Sequence, residues 1–374
     1  MAIPETDPDR WARIDELYHA ALDRSADLRD SFLRETCGDD DALRQEVLSL
    51  LRFNENQRFL ERSPLDIAAS LEVRGQQTNL NTLQPGRTIS HYTVLEKLGE
   101  GGMGIVYKAE DRNLGRTVAL KFLAPHAMED RDSHTRFMRE AKASASLDHP
   151  NVCTVYEIGE AEGRVFLSMA LVEGGRLSDR IAKRPLDLAE ALDVAIQTAQ
   201  GLQAAHEKGI VHRDIKSANL MISRQGQIKI MDFGIALLTD HARLTQTTTI
   251  VGTPGYLSPE QAQRRQADRR SDLWSLGIVI YEMVTGRLPF QADRYEAILH
   301  SIIYDAHEPI TAVRTGVPME LDRIIAKALA KSPDDRYQHA DELLVDLRNL
   351  ARQIASGLKT PLAPIGAGRQ VSAR

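Results

Sequence analysis

The chain has 374 residues, 42% hydrophobic and 27% charged, enough for a full core and for more than one average domain. A formal net charge of −6 gives no reason to expect a nucleic-acid partner. Cys37 and Cys153 lie far apart with no Cys or His cluster beside either, so neither a disulfide framework nor a zinc site is expected, and a reducing cytoplasm fits. No run of about 18 apolar residues and no basic-then-apolar leader occurs, so the sequence predicts a cytoplasmic chain without a membrane span.

Residues 1–73 read as a small helical segment. Asp7-Pro8 is an N-cap with proline at the first helical position, and Trp11, Ile14, Leu17, Tyr18, Ala21 and Leu22 recur on one face. A second helix turns Leu28, Phe32 and Leu33 inward. A third comes after Asp39-Asp40-Asp41 with Leu43, Val47, Leu50 and Leu51, and Ser63-Pro64 caps a fourth. Such a bundle either stabilises the remainder of the chain or offers a regulatory groove. Residues 74–87, rich in Gln, Asn, Thr, Gly and Pro, read as a linker.

Tyr92 to Leu98 has strand character and leads into Gly99-Glu100-Gly101-Gly102-Met103-Gly104-Ile105-Val106, with a second strand-like run to Ala109. Gly99, Gly101 and Gly104 let backbone amides approach phosphate oxygens where a Cβ would collide. In dinucleotide-binding folds the same spacing opens a helix; here a strand comes next, which argues against that fold. Val118 to Lys121 is a third strand. A helix is expected from Ser133 and carries Glu140, while Asp130 and Asp132, at or before its cap, suit the helix dipole. His149-Pro150-Asn151 closes that helix. Val152 to Ile158 and Val165 to Met169 then read as strands meeting at a polar turn, Glu160 to Arg164.

Leu188 to Lys208 is a long helical pattern ending at Gly209. It delivers the chain to His212-Arg213-Asp214-Ile215-Lys216-Ser217-Ala218-Asn219, and a short apolar run then ends in Asp232-Phe233-Gly234. Phosphoryl transfer asks for one carboxylate to take the proton of an incoming hydroxyl, a neutral oxygen ligand for Mg²⁺, and a second carboxylate to bridge the metal to the phosphates. Asp214, Asn219 and Asp232 are of those types, in that order. H-R-D-x-K-x-x-N, with D-F-G after it, resembles the catalytic-loop and metal-loop pair of the protein kinases. Over residues 88–352 the chain looks like the bacterial, eukaryotic-like serine/threonine kinases.

That resemblance implies an α+β, bilobal protein kinase fold, with a small β-rich N-lobe and a large helical C-lobe enclosing ATP and Mg²⁺, or Mn²⁺ in its place. Lys121, in Val118-Ala119-Leu120-Lys121, would bind the α- and β-phosphates and be held by Glu140. Leu98, Gly99, Gly101, Gly104, Val106 and Ala119 would cover the nucleotide. Met169 stands as gatekeeper, Ala170 and Val172 present backbone groups to adenine, and Met221 floors the pocket. Asp214 becomes the catalytic base, Lys216 steadies the transferred phosphate and marks an aliphatic hydroxyl as acceptor, and Asn219 and Asp232 hold metal. Ser217 stands where many relatives have proline, which frees φ, restores an N–H donor and predicts a slightly less rigid loop.

Asp232 to Glu260 would be the activation segment. Phosphate on Thr245, Thr247, Thr248 or Thr249 could pair with Arg213 and order it. Thr253 is expected to touch the catalytic loop, Asp272 to cap that loop's backbone amides, and Arg336 to pair with Glu260. Residues 353–374 read as a flexible tail. The resemblance implies protein Ser/Thr substrates, no nucleic acid, and a homodimer for trans-autophosphorylation. A pseudokinase or scaffold is the alternative from another class.

Overall fold

The computed structural model describes residues 17, 21, 32–34, 36, 37, 40, 43, 44, 83–101, 104–123, 138, 141–233 and 254–357. Glu140, Thr245, Thr247, Thr248, Thr249, Thr253 and the tail from residue 358 lie outside them. The chain divides into two compact units, one of residues 1–83 with 243–250, the other of residues 84–242 with 251–374.

In the first unit Leu17, Ala21, Leu33 and Leu43 are helical and share one apolar cluster, as their spacing predicts. Asp40 accepts the backbone N–H of Leu43 at 2.9 Å, the N-cap geometry expected of the aspartate run.

The second unit begins with six antiparallel strands: β1 (Thr88–Ile89), β2 (Tyr92–Gly101), β3 (Gly104–Asp111), β4 (Arg116–Leu123), β5 (Val155–Ala161) and β6 (Arg164–Ala170). Their order in the sheet is β1-β2-β3-β4-β6-β5. The turn between β5 and β6 is tighter than predicted. Glu162 and Gly163, at φ +54° and +69°, form a two-residue hairpin loop whose twist matches the strands. Val152 lies before β5 and bridges Ile230 instead. The predicted linker also ends within structure, because Gly86 donates to the Val94 carbonyl and Val94 donates back to Arg87.

A smaller sheet follows, of β7 (Gly174–Arg176), β8 (Leu220–Ser223) and β9 (Ile228–Ile230) in that order. Among the described residues after β7 the α-helices are α1 (Leu177–Lys183), α2 (Leu188–Glu207), α3 (Pro259–Ala262), α4 (Arg269–Thr285), α5 (Tyr295–Tyr304), α6 (Ile310–Val313), α7 (Met319–Ala328) and α8 (Ala340–Ala355). α2 stops where Gly209 takes φ +74°. α4 buries residues on every side, from Leu273 and Trp274 to Val284, as an all-round apolar helix must. It starts at Arg269 because Asp268 accepts the Arg270 N–H at 2.8 Å and caps it there. α8 ends at Ala355, inside the stretch from residue 353 that reads as a tail. No helix among the described residues is long and apolar enough to cross a membrane.

Candidate active site

Sheet register brings the predicted nucleotide residues together. Val106 faces Lys121 across β3 and β4, and Ala119 faces Met169 across β4 and β6. Val106, Ala119, Met169, Ala170 and Val172 all belong to or pack on one apolar cluster, while Met221 lies on β8 opposite Lys229 and Leu98 is 47% exposed on β2. The Ala170 N–H donates to the Thr154 carbonyl, whereas Val172 forms no backbone hydrogen bond among the described residues. Gly104 has a stringent reason to be glycine. At φ +130° a Cβ would sit 1.8 Å from the Phe122 carbonyl oxygen, so β3 approaches β4 here only without a side chain. Cys153, which no sequence motif marks as a site residue, lines the same cluster, and burial pushes its thiol up to about 12.

Lys121 Nζ lies 2.7 Å from Asp232 Oδ1, with the lysine side chain 7% exposed. Burial alone would raise the Asp232 carboxyl, but the Lys121 charge and hydrogen bond hold it below the ordinary carboxylate range. Asp232 Oδ2 takes no hydrogen bond among the described residues. Asn219 directs its side-chain nitrogen at Asp214, 2.8 Å to the carbonyl and 3.0 Å to Oδ2, which leaves its amide oxygen without a partner there. Two oxygen donors of hard-cation type are thus available, the donor set Mg²⁺ asks for. Lys216 Nζ reaches Asp214 Oδ2 at 2.8 Å, joining Asp214, Lys216 and Asn219 in one hydrogen-bonded group.

Asp272 carries this loop. Fully buried on α4, its Oδ1 accepts the Arg213 N–H at 2.7 Å, and its Oδ2 accepts the His212 N–H and His206 Nε2, both at 2.8 Å. Burial would raise its carboxyl; the His206 hydrogen bond, with both histidines nearby, turns the shift downward. His212 Nε2 donates to the Met231 carbonyl at 2.8 Å and Nδ1 accepts the Asp214 N–H at 3.2 Å, so both ring nitrogens are tied to the loop's surroundings. Phe233 stands edge-on to that ring, centroids 4.6 Å apart. Arg213 and Asp232 both adopt left-handed backbone, φ +66° and +64°.

Arg336 forks onto Glu260, with two 2.8 Å bonds, and donates to the carbonyls of Ala330 and Lys331. Ser258 caps α3 through Gln261, whose Nε2 also donates to the Arg213 carbonyl at 2.9 Å. The predicted Lys121 partner, Glu140, lies outside the described residues.

A protein kinase domain profile matches residues 92–346. The chain belongs to the protein kinase family. Among relatives, the serine/threonine-protein kinase PknB of Mycobacterium leprae is 39% identical over 269 residues, 70% of this chain and 43% of that protein. A probable serine/threonine-protein kinase of Streptomyces coelicolor is 41% identical over 271 residues, 71% of this chain and 40% of its own length. The match therefore spans less than half of either relative. The solved PknI kinase domain of Mycobacterium tuberculosis superposes with TM-score 0.60 at 27% identity, covering 72% of this chain and 99% of that one. The kinase domain here is of the bacterial serine/threonine type, with the β-rich and helical lobes of that fold.

Proposed function

We propose that this domain transfers the γ-phosphoryl group of ATP to serine and threonine hydroxyls of protein substrates. The observation that carries the reading is the joined group of Asp214, Lys216 and Asn219 beside the Lys121–Asp232 pair. Asp214 accepts the proton of the incoming hydroxyl, Lys216 neutralises charge on the transferred group, and Lys121 holds the nucleotide phosphates. Asn219 and Asp232 would hold Mg²⁺ or Mn²⁺, which supplies charge neutralisation between phosphate oxygens. Thr245, Thr247, Thr248 and Thr249 are the autophosphorylation sites in this reading, with Arg213 receiving the new charge. Trans-modification within a homodimer is the route we favour.

Intact mass of the purified chain before and after MgATP tests this directly. Steps of about 80 Da in the wild type, absent in Asp214→Asn and mapped by peptide analysis to Thr245–Thr249, are the expected result. Bound ATP with no mass gain in either protein would refute it.

A further inference from the structure

Ser217 lies in the catalytic loop three residues after Asp214, and its side chain has partners no proline could bond. It is 2% exposed. Its Oγ lies 2.9 Å from the Tyr256 hydroxyl and 3.2 Å from Glu282 Oε1, and Tyr256 donates to Glu282 Oε2 at 2.7 Å. Three segments close this triangle: the catalytic loop, the short turn Pro254–Tyr256, and α4. Glu282 has no cationic partner among the described residues, so its oxygens depend on these two hydroxyls. Burial raises its carboxyl, in keeping with a poorly hydrated triangle.

The stretch from Tyr256 to Gln261 is therefore tied to the catalytic loop on both sides of Asp214. Gln261 holds the Arg213 carbonyl and Tyr256 meets Ser217. None of these atoms touches Lys121 or Asp232, the groups assigned to nucleotide and metal.

We propose that Ser217 is a positioning residue for the protein substrate. Its hydroxyl sets the 254–258 stretch against the catalytic loop and so fixes the surface along which a peptide lies when its own hydroxyl reaches Asp214. The proposal rests on the protein kinase reading above. A hydrogen-bonded tie to the neighbouring segment then steadies the loop.

The test uses the full chain with Ser217→Ala, Ser217→Pro, Tyr256→Phe and the Ser217→Ala/Tyr256→Phe double variant. Losing the hydroxyl should raise the peptide KM about 3- to 10-fold, the range for one net hydrogen bond, while the ATP KM stays within about twofold. Ser217→Pro should behave like Ser217→Ala, and Ser217→Ala should add little once Tyr256 is phenylalanine. Amide exchange across residues 254–262, read by mass spectrometry in an Asp214→Asn background, should quicken by a similar factor with no turnover required. Wild-type values in Ser217→Pro, equal shifts in both KM values, or unchanged exchange in Ser217→Ala would each overturn the proposal. Should the wild type phosphorylate no peptide, the kinase reading fails, and the exchange measurement still decides the Ser217 tie: faster exchange supports it and unchanged exchange overturns it.

Discussion

Replacing Asp272 by asparagine keeps the shape of the side chain and removes the charge that three donors converge on. An asparagine offers one oxygen in place of two and turns an NH₂ group toward a donor, so at least one of the Arg213 and His212 amides or the His206 ring loses its acceptor. A hydrogen bond to a charged group contributes about 1.5–3 kcal/mol, and a buried donor left unpaired costs about 1–3 kcal/mol. The two overlap, so a loss of about 2–4 kcal/mol is expected. Urea unfolding should show it as a lower midpoint with unchanged slope, and melting should fall by about 4–16 °C. Because the amides concerned flank Asp214, kcat should drop about 100-fold through misplacement alone. The sign with pH comes from the lowered carboxyl of Asp272. Its folded pKa lies below the unfolded one, so its stabilisation is present above the ordinary value of 3.8 and is lost as pH falls through the folded pKa. The gap between wild type and variant should accordingly close in strong acid. A variant within about 0.5 kcal/mol of wild type, with kcat retained, would refute the reasoning.

Two further changes probe other parts. Arg336→Met leaves Glu260 buried without its fork and should cost about 3–5 kcal/mol by chemical denaturation, with part of the loss recovered when Glu260 is also made apolar. Gly104→Ala puts a methyl group into the Phe122 carbonyl at a φ alanine avoids; it should weaken nucleotide binding, measured by calorimetry, at least tenfold and cost about 1–3 kcal/mol.

Much of the site is legible in the sequence because its residues are chemically specialised and closely spaced. Asp214, Lys216 and Asn219 lie within six positions, and the structure joins them by direct hydrogen bonds. The Glu260–Arg336 and Asp272 contacts are legible through resemblance alone, since 76 residues separate the first pair and no local pattern links them. What the sequence hides depends on tertiary placement. Ser217 reads locally as a lost proline, and its bonds to Tyr256 and Glu282 arise when segments 39 and 65 residues away arrive beside it. Gln261 and His206 escape notice for the same reason, each an ordinary polar residue on a helix until folding aims it at the loop. The β5–β6 turn reads too long because the polar run from Glu160 to Arg164 masks the tight Glu162-Gly163 pair.

Arg213 and Asp232 share a consequence that bears on how this molecule would fail. Both sit in left-handed backbone without being glycine, a conformation costing about 1–3 kcal/mol apiece, and both are held there by side-chain contacts from elsewhere. Among the described residues the core beneath them carries no such strain. Mild heat would therefore return these two residues to extended backbone first, and the enzyme would fall silent while its fold still stood.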